Sequence, residues 1–138
     1  MPYQPKFDLD LKFGHEGEEW LRTLLGDQYT CQQCGEEQGL KVEVKRERDM
    51  WHVTRNLFFE FEWNGKPSGF KATQADWWVH ILTLHGQNMG AFLLPVPRLR
   101  EELRKLVNEK HARVTAGGDQ HKARGVLLPL GHLWRLLL

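Results

Sequence analysis

Lys41-Val42-Glu43-Val44-Lys45-Arg46-Glu47 is followed, after Arg48-Asp49-Met50-Trp51-His52, by Thr54-Arg55-Asn56-Leu57-Phe58-Phe59-Glu60-Phe61-Glu62. Both outer runs alternate apolar and ionisable residues, the period of a strand whose side chains point to opposite faces in turn. Val42 and Val44 share one face of the first run, and Lys41, Glu43, Lys45 and Glu47 share the other. In the second run Leu57, Phe59, Phe61 and Trp63 oppose Asn56, Phe58, Glu60 and Glu62. The stretch between them is turn-like, so the spacing predicts an antiparallel hairpin. With both apolar sides on one core, a register that sets Glu47 near Asn56 places Lys45 near Phe58 and Glu43 across from Glu60.

Directly opposed carboxylates destabilise a sheet unless something positive lies between them. A hard divalent cation held by carboxylate oxygens supplies that charge, Mg²⁺ first and Mn²⁺ as its substitute, with Lys45 as a fixed amine beside it. The competing reading is an ordinary solvated face on which Glu43 and Glu60 each find a Lys or Arg.

A chain of 138 residues, 41% hydrophobic and 27% charged, reads as one domain over residues 1–138 with a single sizeable core. The formal net charge of +1 neither favours nor excludes nucleic acid, because basic residues can be segregated by face. No run approaches the roughly 18 apolar residues of a membrane span, and the first residues lack a signal-peptide core. The expectation is a soluble, cytoplasmic protein without a membrane partner. Cys31 and Cys34 are the only cysteines. They read as reduced thiols in a loop; the alternatives are a zinc site completed by His52, His80, His85 or His111, whose spacing fits no familiar zinc pattern, and a redox dithiol, which lacks its βαβ context.

Upstream, Phe7 to Phe13 alternates like a half-buried strand ended by Gly14, and Glu16 to Gly26 reads as a short helix with acids in its first turn. Those acids complement the helix dipole, or one of them, Glu19, leans over the sheet toward the metal. Asp27 to Gly39 reads as loop. Downstream, Asn64 to Gly69 is a turn cluster whose N–H groups and Lys66 offer a phosphate cradle as the alternative to a plain loop. Thr73-Gln74-Ala75-Asp76 resembles a capping box opening a helix from Ala75 to His85, with Trp77 and Trp78 in the core or, alternatively, stacking on bases. Asn88 to Leu94 reads as a buried strand, Pro97 to about Lys110 as an amphipathic helix, and Ala112 to Ala116 as a strand. Val126 to Leu138, broken by Pro129 and Gly131, finishes the core or makes a subunit contact. The expected fold is α/β, a central mixed β-sheet flanked by helices.

Several of these pieces resemble the PD-(D/E)XK nuclease superfamily, in particular the small phage and archaeal-type Holliday junction resolvases. They are Glu16-Gly17-Glu18-Glu19, Glu43-Val44-Lys45, Asn56 to Glu60, and Ser68-Gly69 leading through Thr73 and Ala75-Asp76 to Trp77-Trp78. Gly117-Gly118-Asp119 and Gly125 to Pro129 are similar to the tail of such phage proteins. The resemblance implies a restriction-endonuclease-like core and a metal held by an acid on one strand and the Glu of an E-x-K on the next. Two assignments stay open. Glu43 and Lys45 form a literal E-x-K, with only Glu36 or Glu37 upstream as partner acid; or Glu43, Glu47 or Asp49 is the first acid, Glu60 opens the second motif, and Glu62 stands in the lysine's place.

Both assignments use Glu43, Lys45 and Glu60 as catalytic residues, with Asp49 and Glu47 behind them; Glu43, Glu60, Asp49 and Glu19 are the metal candidates. Arg46, Arg48, Arg55, Lys66, Lys71, Lys122 and Arg124 are the candidate DNA contacts. The implied activity is a Mg²⁺-dependent endodeoxyribonuclease acting on branched or duplex DNA as a homodimer, cleaving four-way junctions in the cytoplasm, the host's if the chain is phage-encoded. A nuclease of linear duplex and a non-catalytic DNA-binding protein are the alternatives.

Overall fold

The computed structural model of the chain describes residues 6–25, 29–31, 40–117 and 121–137. It is an α/β structure of two four-stranded sheets and their helices. The mixed sheet has the order β1 (Tyr29–Cys31), β2 (Leu40–Glu47), β5 (Trp77–Leu84), β6 (Gln87–Pro95). Its first three strands are parallel and β6 is antiparallel to β5. The second sheet is antiparallel, in the order β4 (Lys66–Pro67), β3 (Asn56–Trp63), β8 (Ala123–Pro129), β7 (Arg113–Gly117).

The expected hairpin does not form. β2 and β3 belong to different sheets, and the partner of Glu43 is Trp78 on β5 while that of Glu60 is Gly125 on β8. Between them lies α2 (Trp51–Thr54), closed by Arg55 at a left-handed φ of 60°, and this reversal carries the chain off the mixed sheet. Pairing β2 with β5 instead sets Val42 and Val44 beside Trp77 and Val79 on one apolar face.

That face is covered by α1 (Lys6–Leu25), whose Leu21 is buried with Val42, Val79 and Ile81. Gly17 lets the helix come close, since a methyl there would sit 3.3 Å from both Arg46 Cδ and Ile81 Cδ1. The helix also takes up Phe7 to Phe13, expected as a strand, and runs through Gly14. The Asp, Leu and Lys of this stretch are compatible with helix, and docking of the helix's later turns outweighs a seven-residue alternation. β1 falls within the stretch expected to be loop; Cys31 ends it, while Cys34, Glu36, Glu37 and Asp119 lie outside the described residues.

The expected helix from Ala75 to His85 is β5. Its residues are apolar on both sides because both sides are covered, which is how a buried parallel strand reads and why it can be mistaken for a buried helix. The Thr73 hydroxyl does accept the Ala75 N–H at 3.2 Å, but in a turn after α3 (Gly69–Ala72) that leads into the strand. β6, α4 (Val96–Asn108) and β7 form close to their expected bounds.

The two sheets pack through Phe59 of β3, whose ring centroid is 4.6 Å from that of His80 and 6.3 Å from that of Trp78. α4 inserts Leu99, Leu103 and Leu106 into the same core, which Leu57 and Leu128 complete from the antiparallel sheet. Burying each such side chain stabilises by about 1.5–3 kcal/mol. After β8 a 3-10 turn (Leu130–His132) and α5 (Trp134–Leu137) bring Leu136 into this core. Among the described residues no helix is long and apolar enough to cross a membrane.

Candidate functional site

Strand alternation puts Glu43, Lys45 and Glu47 on the face of β2 opposite Val42 and Val44, and so on the face of the mixed sheet away from α1. The three residues have different surroundings. Lys45 Nζ lies 3.2 Å from Glu43 Oε1, with the lysine side chain 36% exposed and the glutamate 14%. The Thr73 hydroxyl approaches the other oxygen, Oε2, at 3.4 Å. This ammonium–carboxylate pair remains within reach of solvent.

Glu47, at 12% exposure, differs from Glu43 in that both its oxygens are held close by the chain. Its Oε1 accepts the Phe58 backbone N–H at 3.1 Å and its Oε2 lies 2.6 Å from His80 Nε2. The Trp78 indole N–H donates to His80 Nδ1 at 3.1 Å. An indole nitrogen only donates, so Nδ1 accepts and the ring proton at Nε2 is directed to Glu47. Glu47 therefore ties the mixed sheet to β3, and His80, 1% exposed and stacked on Phe92 at 5.1 Å, fixes its direction.

Sequence reasoning set Trp78 in the core, where it lies, but did not foresee the contacts that run from Trp78 through His80 to Glu47, or that of Thr73 with Glu43. Trp78 and His80 are two apart, a spacing that places them on one face once the segment is read as a strand. The helix expectation scattered them.

Glu60 does not face Glu43 across a strand pair. Its Oε2 accepts the Ser68 hydroxyl proton at 2.8 Å. Ser68 and Thr73 are the residues flanking α3, so the two acids are tied to opposite ends of one short helix. At 1.5 Å rise per residue those ends are roughly 8 Å apart. Glu19 is an exposed residue of α1, the helix that covers the other face of the mixed sheet. Among the described residues no group of three or more His, Cys, Asp or Glu is gathered to hold a metal.

Asp49 follows β2 and accepts the Gly86 N–H at 2.8 Å through Oδ2. Its Oδ1 is buried and makes no hydrogen bond in this geometry, because the nearby Thr83 hydroxyl gives its proton to the Glu47 carbonyl at 2.7 Å. Turned toward Asp49, that hydroxyl is the larger influence, with the Gly86 N–H second, and together they hold the carboxyl below the usual carboxylate range.

Five of the seven basic candidates fall into two groups, and Lys71 and Arg55 stand apart from both. Arg46 is 4% exposed, lies 4.2 Å over the Phe13 ring, and gives its donors to Asn88, Gly86, Phe13 and Glu16. Arg48 lies over the same ring at 4.0 Å. Their position is the junction of α1 with the β5–β6 turn. Lys66, Lys122 and Arg124, by contrast, are drawn together at one end of the antiparallel sheet: Lys66 and Ala123 both pair with Trp63, Arg124 pairs with Glu62, and the Asn64 N–H donates to the Lys122 carbonyl at 2.9 Å. Trp63 at their centre is 44% exposed. Lys71 is exposed on α3, and Arg55 is exposed after α2.

Compared with protein-family models, curated proteins and solved structures, the chain matches none.

Proposed function

We propose that this protein is a metal-dependent DNA endonuclease that cleaves phosphodiester bonds at branched DNA, four-way junctions first, and acts as a homodimer on opposed strands. The observation that carries this reading is the Glu43–Lys45 pair, a carboxylate and an amine in contact on an interior strand of a mixed sheet backed by a helix. A restriction-endonuclease-like core, which the resemblance to the PD-(D/E)XK superfamily implies, asks for an E-x-K on such a strand.

Glu43 suits Mg²⁺, which takes one or two carboxylates and fills its remaining positions with water and substrate phosphate oxygens. When bound there, the ion supplies charge neutralisation at the phosphate and a more acidic water. Lys45 orients the attacking water and stabilises charge on the phosphoryl oxygens. Thr73 holds the outer carboxylate oxygen of Glu43, and Glu60, at the other end of α3, is the supporting acid. Lys66, Lys122 and Arg124 grip backbone phosphates while Trp63 offers a stacking surface where strands are unpaired. Such contacts read shape rather than sequence, which suits a branched substrate.

One observation favours the non-catalytic DNA-binding reading: Glu43 and Glu60 are not on paired strands, and both oxygens of Glu47 are used within the chain. Incubating the protein with a labelled four-way junction and with linear duplex of the same sequence, in Mg²⁺, Mn²⁺ or EDTA, separates the readings. Metal-dependent cuts symmetric about the branch are expected. Equal cutting of linear duplex makes it a general nuclease, and tight binding without cutting by folded protein makes it a binding protein.

A further inference from the structure

Between α4, α3 and the inner face of the antiparallel sheet lies a cavity of about 510 Å³. Phe61, Phe70, Leu103, Val107, Val114 and Val126 form its apolar lining. Its size falls in the range of about 300–1,000 Å³ that small-molecule sites occupy. An apolar hollow of this size in contact with water favours an apolar occupant.

The charged side chains that line it are all of one sign. Lys71, Arg100 and Arg104 line it and no carboxylate does. Arg100 is fixed in place, with Nε donating to the Phe70 carbonyl and NH2 to the Thr73 carbonyl, each at 2.7 Å. Lys71 and Arg104 have no ion pair among the described residues, whereas Lys105 on the same helix is paired with Glu101 and Glu102. Asn108 is the one uncharged polar side chain of the lining, too few donors and acceptors for the edge of a nucleobase.

We propose that this cavity binds a small amphiphilic anion, an aliphatic chain carrying a carboxylate, with the chain among Phe61, Phe70 and Leu103 and the carboxylate at Arg104 and Lys71. Its lining shares no residue with the Glu43–Lys45 pair.

The test uses the full chain and anilinonaphthalenesulfonate as a fluorescent probe, displaced by decanoate below its micellar concentration, by decyltrimethylammonium, or by thymidine monophosphate. Saturable binding of one probe per chain is expected, with decanoate displacing it about tenfold better than the cationic amphiphile, a difference on the order of 1.4 kcal/mol. Arg104→Glu reverses an exposed charge and is expected to weaken decanoate about fivefold or more. Val114→Trp, from a position 42% exposed, fills the hollow and is expected to abolish the binding. A thermal transition like the parent's shows that each variant is folded. The proposal is overturned if folded parent binds no probe saturably, if cation and anion displace equally, if thymidine monophosphate displaces and decanoate does not, or if both folded variants bind like the parent.

Discussion

The mixed sheet and the antiparallel sheet meet face to face yet present different chemistry to each other. From the antiparallel side come Leu57, Phe59 and Leu128, all fully buried hydrocarbon. From the mixed side come Trp78 and His80 with Glu47 hydrogen-bonded among them, and at the margin of the same face Glu43 and Lys45. One sheet gives adhesion and the other direction. A carboxylate that has lost most of its water costs free energy unless its oxygens are satisfied, and Glu47 is satisfied by one donor from each sheet, so it favours a single relative placement of the two. Lys45 and Glu43, two and four residues back along the same strand, inherit that placement.

If this division of labour holds, the largest effect on stability belongs to the adhesive side. Phe59→Ala removes the ring that touches both Trp78 and His80 and is expected to lower the unfolding free energy by about 3–5 kcal/mol in urea. A loss below about 1 kcal/mol would mean the sheets do not meet at Phe59. Next comes Glu47→Ala, which strands the Phe58 N–H and the His80 Nε2 proton without acceptors. About 2–4 kcal/mol is expected by the same measurement, with Glu47→Gln milder because its carbonyl still accepts.

Paired glycines sharpen the contrast further. A methyl at Gly125 of the antiparallel sheet would sit 2.6 Å from both the Phe58 ring and the Phe59 carbonyl, so Gly125→Ala is expected to cost about 1–3 kcal/mol. Gly90 on β6 of the mixed sheet has nothing within 4 Å of such a methyl, and Gly90→Ala is expected to stay within about 0.5 kcal/mol of the parent. Equal costs would erase the difference between the two strands.

The smallest effect is pH-dependent. Because the folded chain holds Asp49 below its ordinary value of 3.8, the unfolded chain takes up that proton at higher pH, and Asp49 adds stability that is complete above the unfolded value and lost as pH falls through the folded one. The stability difference between parent and Asp49→Asn is therefore expected to be flat above about pH 5 and to shrink on acidification below 3.8. A difference that grows on acidification would contradict the lowering of the Asp49 carboxyl by a Thr83 hydroxyl turned toward it and by the Gly86 N–H.

What could be read from the residues alone follows from what each element packs against. α4 was legible because Leu99, Leu103 and Leu106 keep a helical period on one buried side while Arg and Glu fill the other. The alternation in Lys41 to Glu47 likewise identified both the strand and the face carrying Glu43, Lys45 and Glu47. β5 was not legible: Trp78 and His80 face the second sheet while Val79 and Ile81 face α1, so no alternation survives to mark it. Nor was the partner of β2, since alternation says which side of a strand is buried and nothing about which strand lies beside it. The misplaced pairing then set Glu60 against Glu43, where α3 stands between the residues they bind.

The functional claim rests on Glu43, and one measurement reaches it directly: single-turnover cleavage of a labelled four-way junction in Mg²⁺, alongside junction affinity, for the parent, Glu43→Gln and Glu60→Gln. The parent is expected to cut. Glu43→Gln is expected to bind as the parent does and to cut slower by roughly a thousandfold, with Glu60→Gln losing less. Parent-like cleavage by Glu43→Gln would contradict the assignment of the reaction to the Glu43–Lys45 pair.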